Sequence, residues 1–397
     1  MKSPGFLAGM LIAMLLLIPL SVPPAGASEG ELTLILVSDN EADAALAAYL
    51  ANLTGYVVIK TPWGIYDPNV TAKVIGYAPD RVIIIGGPDA VSDEYEADLR
   101  GLGIPVERWG GLNRYETNII SLKNAKLKLK LNFAENLIIS PGNDSVAIQK
   151  ALQLSIEERG ILLFVNTSSN LSDIGELLGI RSFRLTLVIS PVTERIVMKI
   201  SSQIPGGATT AVNITSEDAR EAIERAEEAL ERAENATANL NQSPDAIGSG
   251  RYESIDRFLD RARTTLIHAK DAYETGEYKK AYELALISKG QSEMAIKLAS
   301  LSLDEKLKLD PGFRYSFLLL RYQAQEDILE RAGVNTTRLH ELILQLKDAI
   351  SKGEYDVVPS LIAQIQNELR KLFMEGKPFL RERIYFPLEH GGTLGEP

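Results

Sequence analysis

The alternation of short β-branched runs with helical stretches constrains the fold of this chain more than any other feature of its sequence. Up to about residue 214, runs rich in Val, Ile and Leu are separated by segments with helical periodicity. The predicted strands are 32–38, 56–61, 81–87, 135–141, 161–168, 184–191 and 209–215. The predicted helices are 41–53, 67–78, 92–103, 145–160, 171–180 and 193–204. Strands that alternate with helices indicate parallel sheets covered on both faces.

The same order of segments occurs twice. The pattern of residues 37–50 aligns with that of 139–152, and 82–88 aligns with 186–192. Self-similarity of this kind indicates a repeated structural unit. The sequence therefore predicts two tandem α/β units, residues 28–133 and a diverged copy at 134–215.

From Ser216 onward the sequence predicts helices alone. A second repeat, D-A-x-x-x-G-x-Y, recurs at 245–252, 271–278 and 348–355. Its glycine suits a left-handed helix C-cap, and its tyrosine would open the next helix. We expect antiparallel helices at 251–275, 278–303, 312–332, 336–352 and 356–375. They would form a bundle over 216–376 that folds on its own, followed by an irregular tail at 377–397.

The N-terminus has the three parts of a secretory signal peptide. Lys2 is a short positive region, residues 6–20 are apolar, and Ala25-Gly26-Ala27 offers small residues before Ser28. We expect cleavage after Ala27. The alternative is an uncleaved anchor, although about 15 apolar residues fall short of the ~20 that span a bilayer. No second long apolar segment follows, so we expect a secreted protein without a membrane span after cleavage.

Composition excludes several classes of function. The net charge is −11, and an acidic surface disfavours nucleic-acid binding. The chain has no cysteine, which excludes disulfides, thiolate catalysis and Cys-ligated zinc. Nine N-x-S/T sequons suggest a glycosylating cell surface and, with the Glu/Lys-rich helices, favour an archaeal host. The candidates are Asn52, Asn69, Asn143, Asn166, Asn170, Asn213, Asn235 and Asn335; Pro244 disfavours the ninth, Asn241.

Residues 81–117 carry the most specific motif. A strand ends in Gly86-Gly87, an A-V-S-x-x-x-E-x-x-L helix follows, and residues 108–117 read R-W-G-G-L-N-R-Y-E-T. This order resembles the cell wall binding repeat type 2 family, whose signature is R-x-x-G-x-x-R-Y/F-x-T. The resemblance covers about residues 32–120. It implies a Toprim-like α/β unit and non-covalent attachment to anionic envelope polymers. The second unit departs from the family, since Ser190-Pro191 replaces the glycine pair and no R-Y-x-T follows.

Physical chemistry supports part of that implication. Glycines between a strand and a helix allow close approach of a ligand, and arginines pair bidentately with phosphate or carboxylate. The candidate ligand-binding residues are Gly86, Gly87, Arg108, Arg114, Tyr115, Lys123, Lys126, Lys128 and Lys130. Structural roles are the alternative: a tight turn for the glycines, attachment of the last strand for Arg114, Tyr115 and Thr117, and a solvated face for the lysines.

Catalysis is the least favoured class. The acidic loop 38–43 could hold Mg²⁺ as in catalytic Toprim enzymes, but a second carboxylate motif on a later strand is missing. Asp43 is therefore interpreted as a helix cap. The three histidines, His268, His340 and His390, have no metal-ligand spacing, and G-x-S-x-G is absent. We expect no enzyme, no cofactor and no metal.

Two functional hypotheses remain. The first is an envelope-associated protein that binds a surface polymer or surface-layer protein through its first α/β unit. The alternative is a self-associating lattice or receptor-docking protein, and a metal-dependent Toprim-like enzyme is a distant third.

Overall fold

The structure, a computed structural model, describes residues 31–133, 136–171, 184–193, 196, 199, 208–241 and 249–389. The predicted signal peptide and its cleavage site lie outside these residues. So do most of the two helices predicted at 171–180 and 193–204, and the last residues of the chain. The described residues from Leu32 onward form one compact unit.

Two four-stranded parallel sheets confirm the predicted α/β class. The first sheet contains β1 (Thr33–Ser38), β2 (Val57–Thr61), β3 (Arg81–Ile85) and β4 (Val106–Trp109). The second contains β5 (Asn136–Pro141), β6 (Ile161–Val165), β7 (Arg184–Ile189) and β8 (Ala208–Ala211). Their strand orders, β2-β1-β3-β4 and β6-β5-β7-β8, are the same. The second α/β unit therefore repeats the first, as the pattern predicts.

The helices of the α/β units begin where a polar side chain caps the first turn. They are α1 (Glu41–Thr54), α2 (Pro68–Gly76), α3 (Asp93–Gly101), α4 (Arg114–Lys128) and α5 (Ser145–Glu157). The capping side chains are Asn40, Asp67, Ser92, Asn113 and Asp144. The interpretation of Asp43 as a cap is wrong, because α1 starts at Glu41 and Asn40 caps it.

A central core joins the two units. Ile35, Ile83 and their neighbours on one face of the first sheet pack with α1, α4 and the second sheet. Asn118 of α4 strengthens the contact: its amide donates to the Leu162 carbonyl at 3.1 Å and accepts from the Phe164 amide at 3.1 Å. The backbone of the edge strand β6 is thus paired by a side chain of the first unit.

The helical region contains α6 (Ser216–Asn241), α7 (Ser249–Glu274), α8 (Tyr278–Leu309), α9 (Pro311–Arg331), α10 (Thr337–Lys352) and α11 (Val358–Glu389). It divides into two groups of three. Helices α6–α8 share an alanine-rich core, against which Trp63 and Val146 of the α/β units pack. Helices α9–α11 share their core with the other face of the first sheet, including Leu34 and Val82. Autonomous folding of 216–376 stays a prediction.

Two details of the helical region differ from the sequence prediction. The sequence predicts an irregular tail from residue 377, but α11 continues to Glu389. Lys377 and Arg381 hold this part of α11 through ion pairs to Asp80, both at 2.6 Å. Of the repeated glycines, Gly276 and Gly353 adopt the left-handed conformation, whereas Gly250 lies inside the first turn of α7.

Among the described residues, none of the helices combines the length and apolar composition that crossing a membrane requires.

Candidate functional site

Arg108, in the first position of the signature, is bound within its own unit. Its guanidinium donates to Glu96 at 3.1 Å and Asp93 at 3.0 Å, and to the carbonyls of Gly86 and Val91 at 3.1 and 2.8 Å. Its side chain is 16% exposed. A guanidinium with its donors in use has little left for a phosphate or carboxylate ligand. Arg108 fixes β4 to the loop that follows β3.

The signature glycines allow two loops to touch. A Cβ on Gly87 would lie 2.6 Å from the Gly111 carbonyl, and one on Gly110 would overlap the Gly86 carbonyl. Gly86 has a φ of +130°, which L side chains rarely adopt. The structure therefore accounts for these glycines by close backbone packing between the β3–α3 and β4–α4 loops.

Arg114 and Tyr115 connect the two α/β units. Arg114 donates to the Gly142 carbonyl at 2.8 Å, and Tyr115 packs against the central core. A Cβ on Gly142 would lie 2.8 Å from the Tyr115 ring. Thr117 accepts from the Gly111 amide at 3.1 Å. Arg114 and Tyr115 thus fasten the start of α4 to the second unit, and Thr117 fastens it to the β4–α4 loop.

The predicted lysines lie at the other end of α4. Lys123, Lys128 and Lys130 are exposed and Lys126 is half-buried. Lys128 pairs with Glu107 at 2.7 Å, while Lys130 follows the end of the helix with a left-handed φ of 55°. We call these four lysines the lysine face. They are the predicted site residues that solvent reaches most fully.

Helix α8 covers the carboxyl edge of the first sheet, where the parallel strands end. Lys289 of α8 pairs with Glu41 at 2.5 Å and with Glu293 at 3.2 Å, and Glu293 accepts from the Asn40 amide at 3.3 Å. The side chains of Lys289 and Glu293 are 12% and 15% exposed. From α6, Arg225 and Arg232 reach Glu41 and the other acidic residue of the loop, Asp39.

The charged groups at this edge, together with their burial, shift one another's pKa values. Burial opposes ionisation of Glu41, but the charge and hydrogen bond of Lys289, a backbone hydrogen bond and Arg225 together hold the pKa of Glu41 below its ordinary value. Burial likewise opposes the charge of Lys289, whose pKa is raised by Glu293 and Glu41. Asp43 differs: burial raises its pKa to about 6, against the opposing effects of Arg114 and a 3.1 Å hydrogen bond from Ser38.

The same helix closes the carboxyl edge of the second sheet through hydroxyl groups. Asp144 is fully buried and accepts from Tyr282 of α8 at 2.9 Å and from Thr193 at 3.1 Å, and Ser190 also donates to it. The Tyr282 hydroxyl in turn accepts from the Val146 amide at 3.1 Å. Burial, followed by the Asp144 carboxylate, raises the pKa of Tyr282 above its ordinary value, so the phenol stays protonated.

Sequence reasoning missed the residues of α8 that make these contacts. Tyr282, Lys289 and Glu293 are spaced so that they lie on one face of the helix. The available signal was that these aromatic and charged residues alternate with alanines along the helix. The histidines are separate from both edges: His268 is exposed on α7, His340 pairs with Glu326 at 3.0 Å, and His390 lies outside the described residues. In the described ranges, no group of three or more His, Asp or Glu could hold a metal ion.

No family model matches the chain, so the resemblance to the cell wall binding repeat type 2 family stays a prediction. An uncharacterized protein of Methanocaldococcus jannaschii is 34% identical over 185 residues, which are 46% of this chain and 54% of the relative. The chain thus spans about half the length of that relative. Cwp6 from Clostridium difficile is similar with a TM-score of 0.35 and 21% identity, over 48% of this chain and 29% of Cwp6.

Proposed function

We propose that this chain is an exported, non-catalytic protein that associates with the cell envelope by binding an anionic surface polymer through the lysine face of its first α/β unit. The observation that carries the proposal is the exposure of this face in a chain whose net charge is −11. Lys123 and Lys126 are three positions apart on one side of α4, and Lys128 and Lys130 lie at its last residue and just beyond its end. A local basic surface on an acidic protein attracts anions while the rest of the surface repels them.

The closure of both carboxyl edges supports a binding role in place of a catalytic one. Open α/β sheets bind their substrates in the crevice at that edge. Here α8 fills it with Tyr282 in the second unit and Lys289 in the first, and Glu41 and Asp39 of the acidic loop pair with Lys289 and Arg232. The archaeal relative makes an archaeal envelope polymer or surface layer the fitting ligand class.

The proposal is tested by sedimenting the protein with isolated archaeal envelopes over a range of salt concentrations. The variant Lys123→Gln/Lys130→Gln is compared with Lys308→Gln/Lys347→Gln, which removes two exposed lysines from the helical region. We expect the first variant to bind about two- to fivefold more weakly at low salt, because exposed charge contacts contribute modestly. The control variant should bind as the parent does, and salt should abolish the difference. Equal binding of both variants at every salt concentration would refute a role for the lysine face.

Self-association is a second candidate, because one stripe of α8 is apolar and exposed. Ile287, Met294 and Leu301 are each seven residues apart and are 51%, 42% and 42% exposed. A seven-residue spacing lets one helix pack along another. Sedimentation equilibrium of the parent and of Met294→Lys distinguishes the candidates: a parent that stays monomeric at high concentration would exclude self-association through this stripe.

A further inference from the structure

The predicted glycosylation sequons differ in whether a transferase can reach their hydroxyl group. Each acceptor asparagine must be recognised together with the Ser or Thr two residues later. In three sequons that second residue is buried: Thr71, Ser145 and Thr237. In two others its hydroxyl donates to a group outside the sequon: Thr54 donates to the Leu50 carbonyl at 2.8 Å and Thr215 donates to Asp218 at 2.6 Å.

Asn335 has the opposite arrangement. It lies in the loop between α9 and α10, and both Asn335 and Thr337 are exposed. The Thr337 hydroxyl donates to the Asn335 amide oxygen at 2.7 Å, and the Thr337 backbone amide donates to the same oxygen at 3.1 Å. These bonds use only the oxygen. The amide nitrogen, which would carry a sugar, can therefore be modified without breaking them.

Asn335 also lines a groove. A cavity of about 600 Å³ lies between the α9–α10 loop and α11, and Thr337, Leu372 and Phe379 line it with Asn335. Phe379 is 60% exposed, so its ring is open to a ligand in the groove. At Gly376 a Cβ would lie 2.7 Å from the Val334 side chain, so this glycine lets the loop approach α11 closely. A sugar attached to Asn335 would start at the rim of the groove, with an aromatic face beside it.

We propose that Asn335 is a preferred N-glycosylation site of this protein and that the groove beside it seats the first sugars of the attached glycan against Phe379. The donor is a lipid-phosphate-linked oligosaccharide, and the catalyst is a membrane-bound glycosyltransferase. The amide nitrogen bonds to the anomeric carbon, the bond from that carbon to the phosphate oxygen breaks, and the phosphate leaves with the electron pair. The amide proton passes to a base of the transferase. In the cell this modification rests on the proposed export, because it occurs at the outer membrane face.

The site is tested on the folded full-length chain, produced without glycosylation and incubated with membranes of a glycosylating archaeon. A peptide spanning 333–339 is the positive control for donor and transferase. We expect Asn335 to be modified at least about tenfold faster than Asn69, Asn143 and Asn235, because freeing a buried hydroxyl requires local unfolding. Thr337→Ser should retain the modification and Thr337→Ala should lose it. Modification of the peptide but not of Asn335 in the folded chain would overturn the inference.

This assay does not depend on export, which cell fractionation measures separately. A protein that stays inside the cell would contradict the proposed function, whereas an unmodified Asn335 in the membrane assay contradicts only the inference about the site.

Seating of the glycan is tested by exoglycosidase trimming of the modified protein. Phe379→Ala should be trimmed about fivefold faster than the parent, which is the change expected on losing one aromatic contact. Met374→Ala is the matched control, because Met374 is 58% exposed on the same helix but does not line the groove. Equal trimming rates for the parent and Phe379→Ala would show that the glycan does not occupy the groove.

Discussion

The carboxyl edges of the two sheets are closed by the same helix with different chemistry. At the first edge, α8 contributes Lys289 and Glu293 to a network of charged groups that includes Glu41. At the second edge, α8 contributes the hydroxyl of Tyr282, and Asp144 is the one titratable acid among its described hydrogen-bond partners there. The two α/β units therefore share the position of the contact with α8. They differ in its chemistry, which is ion pairing in the first unit and hydroxyl hydrogen bonding in the second.

The difference follows from single residues in otherwise equivalent positions. Ser190 occupies the place of Gly86, and its hydroxyl donates to Asp144. In the first unit the glycine leaves room for the backbone approach of the next loop and for Asp43, which lies nearby. The glycine pair thus serves packing in the first unit, and the serine serves the buried network in the second.

Removing the centre of the second network should have the largest effect on stability. Asp144→Ala leaves the hydroxyls of Tyr282 and Thr193 without their acceptor and removes the cap of α5. We expect a loss of about 4 kcal/mol in the free energy of unfolding, measured by urea titration. Asp260→Ala, at an exposed aspartate, should cost less than about 0.5 kcal/mol. Similar urea midpoints for the two variants would show that the buried network stabilises the fold no more than an exposed aspartate does.

The free energy of unfolding should depend on pH through Asp43 at the first edge. Its pKa in the folded protein is raised from 3.8 to about 6, so the folded state holds a proton that the unfolded chain has already released. That contribution is fully present below pH 3.8 and is lost as the pH rises through about 6. Asp43→Asn does not titrate, so its stability relative to the parent should increase between pH 4 and pH 7 by up to about 3 kcal/mol. A constant difference across this range would contradict the raised pKa.

Breaking the ion network of the first edge should have a smaller effect than loss of Asp144. Lys289→Met leaves Glu41 and Glu293 as neighbouring, mostly buried carboxylates. We expect a loss of about 2 kcal/mol at pH 7, since Arg225 still lies near Glu41. Adding Glu293→Leu should recover part of the loss. If the single and double variants are equally unstable, repulsion between the carboxylates is not the cause.

Substitution of a signature glycine should lower the free energy of unfolding by the smallest amount. Gly87→Ala places a methyl group 2.6 Å from the Gly111 carbonyl, and we expect a loss of about 1–2 kcal/mol. Gly101→Ala is the control, because nothing lies within 4 Å of its added Cβ. Both variants, when folded, should sediment with envelopes as the parent does. Weaker binding by folded Gly87→Ala alone would restore the glycine pair as a ligand site.

The sequence predicts the local structure of the chain well and its long-range contacts poorly. Strand and helix periodicity is a local property, so both sheets and their repeated order could be predicted. The role of α8 could not be predicted, because its contacts join residues far apart in the sequence. Tyr282 hydrogen-bonds to Asp144, and Lys289 pairs with Glu41. The motif indicated the importance of Arg108 and Arg114, but composition alone cannot distinguish an arginine that binds a ligand from one that binds carbonyls.

The end of α11 shows the same limit. Gly376 and Pro378 are strong local signals for the end of a helix, yet the helix continues to Glu389. The contacts of Lys377 and Arg381 with Asp80 act against that local preference. Tertiary ion pairs of this kind leave no trace in the local pattern.

Hydrogen exchange of the envelope-bound protein tests the central claim most directly, because it reports which backbone amides the ligand protects. The account predicts that binding slows exchange in residues 120–131, around the lysine face, and leaves 38–43 and 140–146 at the two covered edges unchanged. Slower exchange at either carboxyl edge, with none in 120–131, would contradict it and would place the ligand beneath α8.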